Sequence, residues 1–252
     1  MPRHGRFLEG DGPLHLTARG TNRKAIFLDE HDNRAFIHGL GRTCRAHGWS
    51  CLAYCLMVNH VHLVIAGDSD GISRGMKSLL GGYAQRFNKR HAQSGHVFGD
   101  RFHHVRVDDD RQLHALIRYV ALNPVRAGLV DHPEGWPWSS HASVMRGVAP
   151  PDALDVTALL ALFPAPPGHP DRARGALQQL VAGGLADALA EASRRVAATQ
   201  WQRGVRSAAG PTGATGEDLL RMLVGHAEQC ANVTHAQPGI AQAARGIRHG
   251  LS

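Results

Sequence analysis

His60 and His62 stand two positions apart within the run Met57-Val58-Asn59-His60-Val61-His62-Leu63-Val64-Ile65. Successive side chains of a strand point to opposite faces, so both imidazoles project from one face while Val61 turns to the other. Two neutral imidazoles placed in this way can clip one divalent cation. The chain has 18 histidines, and a His-x-His pair also arises on ordinary surfaces. Here the pair sits in an apolar run, where an imidazole needs a partner. A second constellation is Arg118-Tyr119-Val120-Ala121-Leu122-Asn123-Pro124. Tyr119 and Asn123, at i and i+4, lie one above the other on a helix face. A deprotonated phenol can attack phosphorus, and an amide carbonyl is a neutral oxygen ligand for a cation. Of the three tyrosines, Tyr54 falls in a strand and Tyr83 in an amphipathic helix, and both read as packing residues. On spacing alone Tyr119 reads the same way.

These residues need elements to hold them. Leu14 to Gly20 reads as a short strand, and Asp29 to His47 as a helix capped by Asp29, with Phe36, Ile37 and Leu40 on one side. Trp49 to Val58 and Val61 to Ala66 read as two strands joined tightly at Asn59. Ile72 to His91 is helical, with Met76, Leu79, Leu80, Tyr83 and Phe87 at 3–4 spacing. His103 to Val107 forms a last strand. From Asp108-Asp109-Asp110 a helix runs to Asn123 and is expected to stop before Pro124. The order predicts an α+β fold: a ferredoxin-like antiparallel sheet with helices on one face. Beyond Pro150 the composition turns to Ala, Gly, Leu and Pro, which predicts a boundary there. Pro164 to Gly168 and Gly210 to Gly216 read as linkers, Gly175 to Arg203 as one or two helices, and Glu217 to Cys230 as a last helical piece. Residues 151–252 thus read as a mostly helical or partly disordered extension of unknown role, and residues 1–150 as a domain able to fold alone.

Charge points to the class of partner. Residues 1–150 hold 19 Lys or Arg against 13 Asp or Glu, whereas residues 151–252 hold 9 against 8. Of those 19 basic residues 16 are Arg, whose planar fork suits phosphate. A polyanion, nucleic acid ahead of a membrane surface, is the expected partner. No apolar stretch is long enough to span a bilayer, and the N-terminus lacks a signal-peptide core, so a cytoplasmic location is expected. Cys44, Cys51, Cys55 and Cys230 make no CxxC pair or disulfide framework and read as reduced, mostly buried thiols.

His60-Val61-His62 matches the His-hydrophobe-His motif of the HUH single-strand nucleases, and its surroundings resemble the single-tyrosine transposases, in particular the REP-associated tyrosine transposases of bacteria. Five segments carry the resemblance in order: Ala18 to Arg23, Ala53 to His62, Gly95 to Phe102, Arg118 to Gly128, and Trp136 to Ser140. It covers roughly residues 3–145 and stops near residue 150. The resemblance implies that residues 1–150 are an HUH single-tyrosine transposase domain. By it, Tyr119 is the nucleophile, and His60, His62 and Asn123 hold the metal. It also implies cleavage of single-stranded DNA beside a hairpin through a 5′-phosphotyrosine link, reversible by another 3′-hydroxyl.

That chemistry requires a cation to polarise the scissile phosphate. A set rich in nitrogen favours Mn²⁺ in affinity, while abundance in the cell favours Mg²⁺. A phenol of ordinary pKa about 10 must be activated before it attacks. Arg19, Arg23, Arg101, Arg106, Arg118 and Arg126 are the candidate DNA-binding residues, and the expected assembly is a monomer or homodimer. Two other readings stand beside this one. A non-catalytic single-stranded nucleic-acid-binding module, including an inactive transposase, would present exposed sheet aromatics, for which Tyr54 and Trp49 are the obvious candidates. A zinc hydrolase would need a third His, Glu or Cys at a familiar spacing, and the chain has no HExxH.

Overall fold

The computed structural model describes residues 12–147, 153–166 and 169–207. Strand β1 (Leu14–Arg19) leads to helix α1 (Glu30–His47), then to β2 (Ser50–Met57), β3 (His60–Ala66), α2 (Ser69–Arg90), β4 (His103–Arg106) and α3 (Asp110–Arg126). The strands form one antiparallel sheet in the order β2-β3-β1-β4. This is the expected ferredoxin-like α+β arrangement. Asp29 caps α1 by accepting a hydrogen bond from the Asp32 amide, and Asp109 caps α3 through the Gln112 amide, each satisfying a donor that the first helical turn leaves open.

The helices occupy both faces of the sheet, not one. Val61, Leu63 and Ile65 of β3 share a core with Leu14, Leu16, Phe36, Leu40, Met76 and Tyr83, so α1 and α2 cover that face. Val64 belongs instead to a second core with Leu113, Ile117, Val120 and Ala121 of α3. Coverage on both faces explains why β2 and β3 are almost continuously apolar. In β2 a bulge between Cys51 and Ala53 shifts the alternation, so that Leu52 and Ala53 both join the α3 core.

Helix α3 does not stop before Pro124; it runs to Arg126 with Pro124 inside it. Proline removes one backbone donor, at a cost of about 3 kcal/mol in a helix interior. Burial of the last turn outweighs that cost: Leu122, Asn123, Pro124 and Val125 are all buried.

The change of composition at residue 150 does not coincide with an edge of the core. Residues 140–145 form α4 (Ser140–Met145), followed by α5 (Val156–Ala161), α6 (Pro170–Ala182) and α7 (Leu185–Ser207). Leu159, Leu160, Phe163, Leu177, Val181 and Ala188 are buried in the core that α3 shares with the sheet. Polar bonds stitch the same region down, since the Asp155 amide donates to the Cys51 carbonyl at 2.9 Å and Ser50 Oγ to Asp155 Oδ2 at 2.7 Å. A Cβ on Gly184, in the turn between α6 and α7, would lie 2.8 Å from Leu122 Cδ1 and 3.0 Å from Arg118 Cδ, so only glycine allows this approach to α3. The expected piece Glu217 to Cys230 and the stretch Gly210 to Gly216 lie outside the described residues.

The remaining motif segments are structural. Trp136 to Ser140 covers the edge of β2: Leu56 N donates to Trp138 O, Trp136 Nε1 donates to Leu56 O, and Ser140 Oγ bonds both the amide and the carbonyl of Tyr54. An edge strand so covered cannot pair with another chain. Ala18 to Arg23 and Gly95 to Phe102 zip together through Gly99 N to Arg19 O and Thr21 N to Val97 O, both 3.0 Å. Gly20 is needed there because a Cβ would sit 2.2 Å from the Lys24 carbonyl oxygen. Cys44, Cys51 and Cys55 are buried free thiols, as expected; Cys230 lies outside the described residues. Among the described residues no helix is long and apolar enough to cross a membrane.

Candidate nuclease site on the α3 face of the sheet

Directly opposed residues of antiparallel strands share a face. Met57, His60 and Arg19 therefore make one row across the sheet, and Cys55, His62, Thr17 and His103 the next. A third row contains His15, Val64 and Val105. All three rows project toward the α3 side. The His60 and His62 ring centroids are 4.9 Å apart, so the pair lies on one face as the spacing requires.

Tyr119 stands over this face. Its ring is edge-on to His62 at 5.7 Å and to His15 at 6.2 Å. It is 37% exposed, whereas Tyr54 and Tyr83 are sealed in the α1–α2 core. Tyr83 donates its hydroxyl to the Ile26 carbonyl, and Tyr54 shares a hydrogen bond with Ser143 Oγ at 3.3 Å. Burial pushes both of those phenols well above the ordinary tyrosine range. Only Tyr119 combines access to solvent with proximity to the histidines.

The donor atoms are set by local bonds. Asn59 Nδ2 donates to the Arg23 carbonyl at 3.0 Å, which turns Asn59 Oδ1 toward His60 Nδ1 at 2.7 Å. A carbonyl oxygen only accepts, so the proton of neutral His60 is on Nδ1 and the Nε2 lone pair is open. His62 Nδ1 lies 2.9 Å from His15 Nε2, and His62 Nε2 is buried without a hydrogen-bond partner. Burial lowers the His60 pKa to about 4, with the positive charges of Arg19 and Arg195 adding to the effect. His62 is held well below the ordinary value, again chiefly by burial and then by His60, His15 and Arg19. His15 is lowered by burial alone. The three imidazoles are thus neutral at pH 7, which is the state that coordinates a cation.

An orphaned buried ring nitrogen beside a second open one fits a divalent ion. Among the described residues no three His, Cys, Asp or Glu side chains converge as a metal site, so a third ligand drawn from those residues would be of another type. Asn123 is buried one turn beyond Tyr119, with Nδ2 donating to the Tyr119 carbonyl at 2.9 Å. That bond uses the amide nitrogen, so Oδ1 is the atom of this side chain that could serve as a ligand.

The candidate arginines separate into groups. Arg19, Arg23 and Arg101 line an open cleft of about 440 Å³ together with His60, His62 and His103. Within it Asn22 and Arg23 hold positive φ values of 54° and 60°, sparsely populated for residues with a side chain. Arg126 lies over the Tyr119 ring, 5.2 Å from its centroid, and is tied to Glu191 of α7 at 3.5 Å. The stem of Arg118 abuts Gly184. Arg106 pairs with Leu14 and so projects from the opposite face, toward α1 and α2; a shift of one residue in a strand reverses the face. His15, Asn59, His103 and Glu191 were not among the expected site residues. The alternation of His15, Thr17 and Arg19 with buried Leu14, Leu16 and Ala18 was the signal for the first.

The chain is similar in sequence to known transposases. Residues 11–123 match the family described as "Transposase IS200 like". Over 144 residues the chain is 26% identical to a Haemophilus influenzae protein named as a REP-associated tyrosine transposase, covering 52% of this chain and 81% of that one. The fold was also matched to a REP-associated tyrosine transposase solved with a REP hairpin, at 22% identity and a TM-score of 0.47 over 60% of this chain and 90% of that one. A Deinococcus radiodurans protein described as a transposase matches at 18% identity and a TM-score of 0.34, over 45% of this chain and 92% of that one. The matched residues 11–123 contain all four strands, both site histidines and the tyrosine, so the part of the chain that is similar to the IS200-like transposases is the part that builds this site.

Proposed function

We propose that this protein cleaves and rejoins single-stranded DNA beside a hairpin, with Tyr119 as nucleophile and a divalent cation, Mg²⁺ or Mn²⁺, held by His60 and His62. The observation that carries the reading is the solvent-exposed Tyr119 ring 5.7 Å from His62, whose buried Nε2 has no partner. Asn123 Oδ1 is the proposed third protein ligand, and Arg126 the group that steadies charge at the tyrosine. When bound, the cation would polarise the scissile phosphate and withdraw charge from it. Tyr119 Oη, having given its proton to water, attacks phosphorus. A new Tyr–O–P bond forms at the 5′ side and the bond to the 3′ oxygen breaks. The departing oxygen takes a proton from water and leaves as a 3′-hydroxyl. Attack by another 3′-hydroxyl reverses the step and joins strands without an external energy source.

Arg19, Arg23 and Arg101 in the cleft supply charge-assisted bonds to backbone phosphates. An unpaired strand suits the site because Tyr119 must lie in line with the leaving oxygen, which a stiff duplex does not readily present. The protein is proposed to act in the cytoplasm as a monomer or homodimer. Incubation with a single-stranded hairpin oligonucleotide and Mn²⁺, followed by denaturing electrophoresis, tests the proposal. A covalent adduct that maps to Tyr119 is expected. Hairpin binding with no adduct at any metal concentration would favour the binding-module reading.

A further inference from the structure

Neutral His62 carries one proton, and its position decides whether Nε2 can act as a ligand at all. If Nδ1 accepts a proton from His15, then Nε2 bears the hydrogen and has no lone pair to offer. If Nδ1 donates, Nε2 is free. The 2.9 Å approach of His62 Nδ1 to His15 Nε2 therefore couples the two rings, as only one of these nitrogens carries the shared proton. The two ring planes are 15° from parallel with centroids 5.2 Å apart, an edge-to-edge arrangement that suits an in-plane N–H···N bond and fixes the tilt of His62. His15 comes from β1, which pairs with β3 along its whole length.

We infer that His15 is a positioning residue: its Nε2 accepts the Nδ1 proton of His62 and so commits His62 Nε2 to metal binding. This inference rests on the metal reading of His60 and His62 given above. His15 does for His62 what the Asn59 carbonyl does for His60, with a ring nitrogen in place of an amide oxygen. The two site histidines then present the same ring atom, each oriented by a different neighbour. Partners of this kind orient the ligand ring and raise its basicity, and their loss typically weakens metal affinity by about 10- to 100-fold. The same hydrogen bond also explains the orphaned His62 Nε2: a lone pair aimed at a cation needs no protein donor.

The experiment uses the full-length chain and Mn²⁺ alone, with two readouts. Long-range proton–nitrogen NMR of the metal-free protein at neutral pH reports the tautomer of each imidazole. His62 is expected with its proton on Nδ1 and His15 with its proton on Nδ1. Mn²⁺ affinity is measured by electron paramagnetic resonance for wild type, His15→Phe and His15→Gln. His15→Phe keeps an aromatic ring in place and removes the acceptor, and should weaken binding about 10- to 100-fold. His15→Gln places a carbonyl oxygen near the position of the missing Nε2 and should recover most of that affinity. Wild-type His62 protonated on Nε2, or His15→Phe binding Mn²⁺ as wild type does, would overturn the inference, and so would a Gln variant no better than Phe. Failure of the wild type to bind Mn²⁺ would instead overturn the metal reading itself.

Discussion

Leu177→Ala tests whether the helices beyond residue 150 complete the catalytic domain. Leu177 lies in α6 and is 1% exposed, in the core that also contains Leu113, Ile117 and Ala121 of the tyrosine helix. Truncating a leucine so enclosed leaves a cavity and costs about 2–5 kcal/mol; the central value is about 3 kcal/mol. With a urea slope of about 2–3 kcal/mol per molar for a chain of this size, the midpoint should fall by roughly 1–1.5 M. Trp136, 3% exposed in the same core, offers a fluorescence signal for the transition. Leu189→Ala on α7, at 37% exposure, is the control and should shift the midpoint by less than about 0.3 M. The same reasoning extends to a chain ended at Gly147. It would lack Leu159, Leu160, Phe163, Leu177 and Val181 in the core, each contributing about 1.5–3 kcal/mol by burial. Their loss also uncovers Leu113, Ile117 and Val120 on the α3 face, and a net stability of only about 5–15 kcal/mol leaves little margin for such exposure. The shortened chain should therefore fail to fold stably, contrary to what charge and composition alone suggest. An unchanged midpoint for Leu177→Ala, together with a cooperatively folded 1–147 fragment, would refute the packing argument.

Tyr119→Phe should abolish cleavage and the covalent adduct while leaving hairpin affinity within about twofold, since it removes one exposed hydroxyl and little packing; Tyr54→Phe should still form the adduct. His60→Ala and His62→Ala should each remove the dependence of cleavage on Mn²⁺ along with activity, and a variant that retained metal-stimulated cleavage would break the assignment. Hairpin affinity should fall linearly with salt on logarithmic axes, and Arg19→Ala, Arg23→Ala or Arg101→Ala should each reduce the slope by about 0.7 for every single-strand phosphate that the variant no longer neutralises. Arg106→Ala, on the far face, should leave the slope unchanged. The buried histidines also set a pH dependence: His60 has a folded-state pKa of about 4 against an ordinary 6.5, so the unfolded chain binds more protons between those values. Stability should be complete above about pH 6.5 and decline as pH falls toward 4, and His60→Gln, measured by urea midpoints at pH 7.5 and 5, should flatten that decline.

Much of this protein is decided by local sequence. Period-two alternation fixes that His60 and His62 share a face, whatever the rest of the fold does, because a strand's side chains alternate by geometry. Caps at Asp29 and Asp109 and the i, i+4 spacing of Tyr119 and Asn123 are likewise local. What the sequence alone could not decide is which faces meet. Period and capping are properties of one element, whereas α3 lies over the histidines because Val64 and Leu113 bury together across fifty residues of chain. The same non-local packing carries α3 through Pro124 and buries Leu177 beside it. It also brings His15 against His62 from another strand and turns Arg106 away from the site. Composition near residue 150 misleads for a related reason. Ala, Gly and Leu form close-packed helices as readily as loose linkers, and only the surface they meet distinguishes the two.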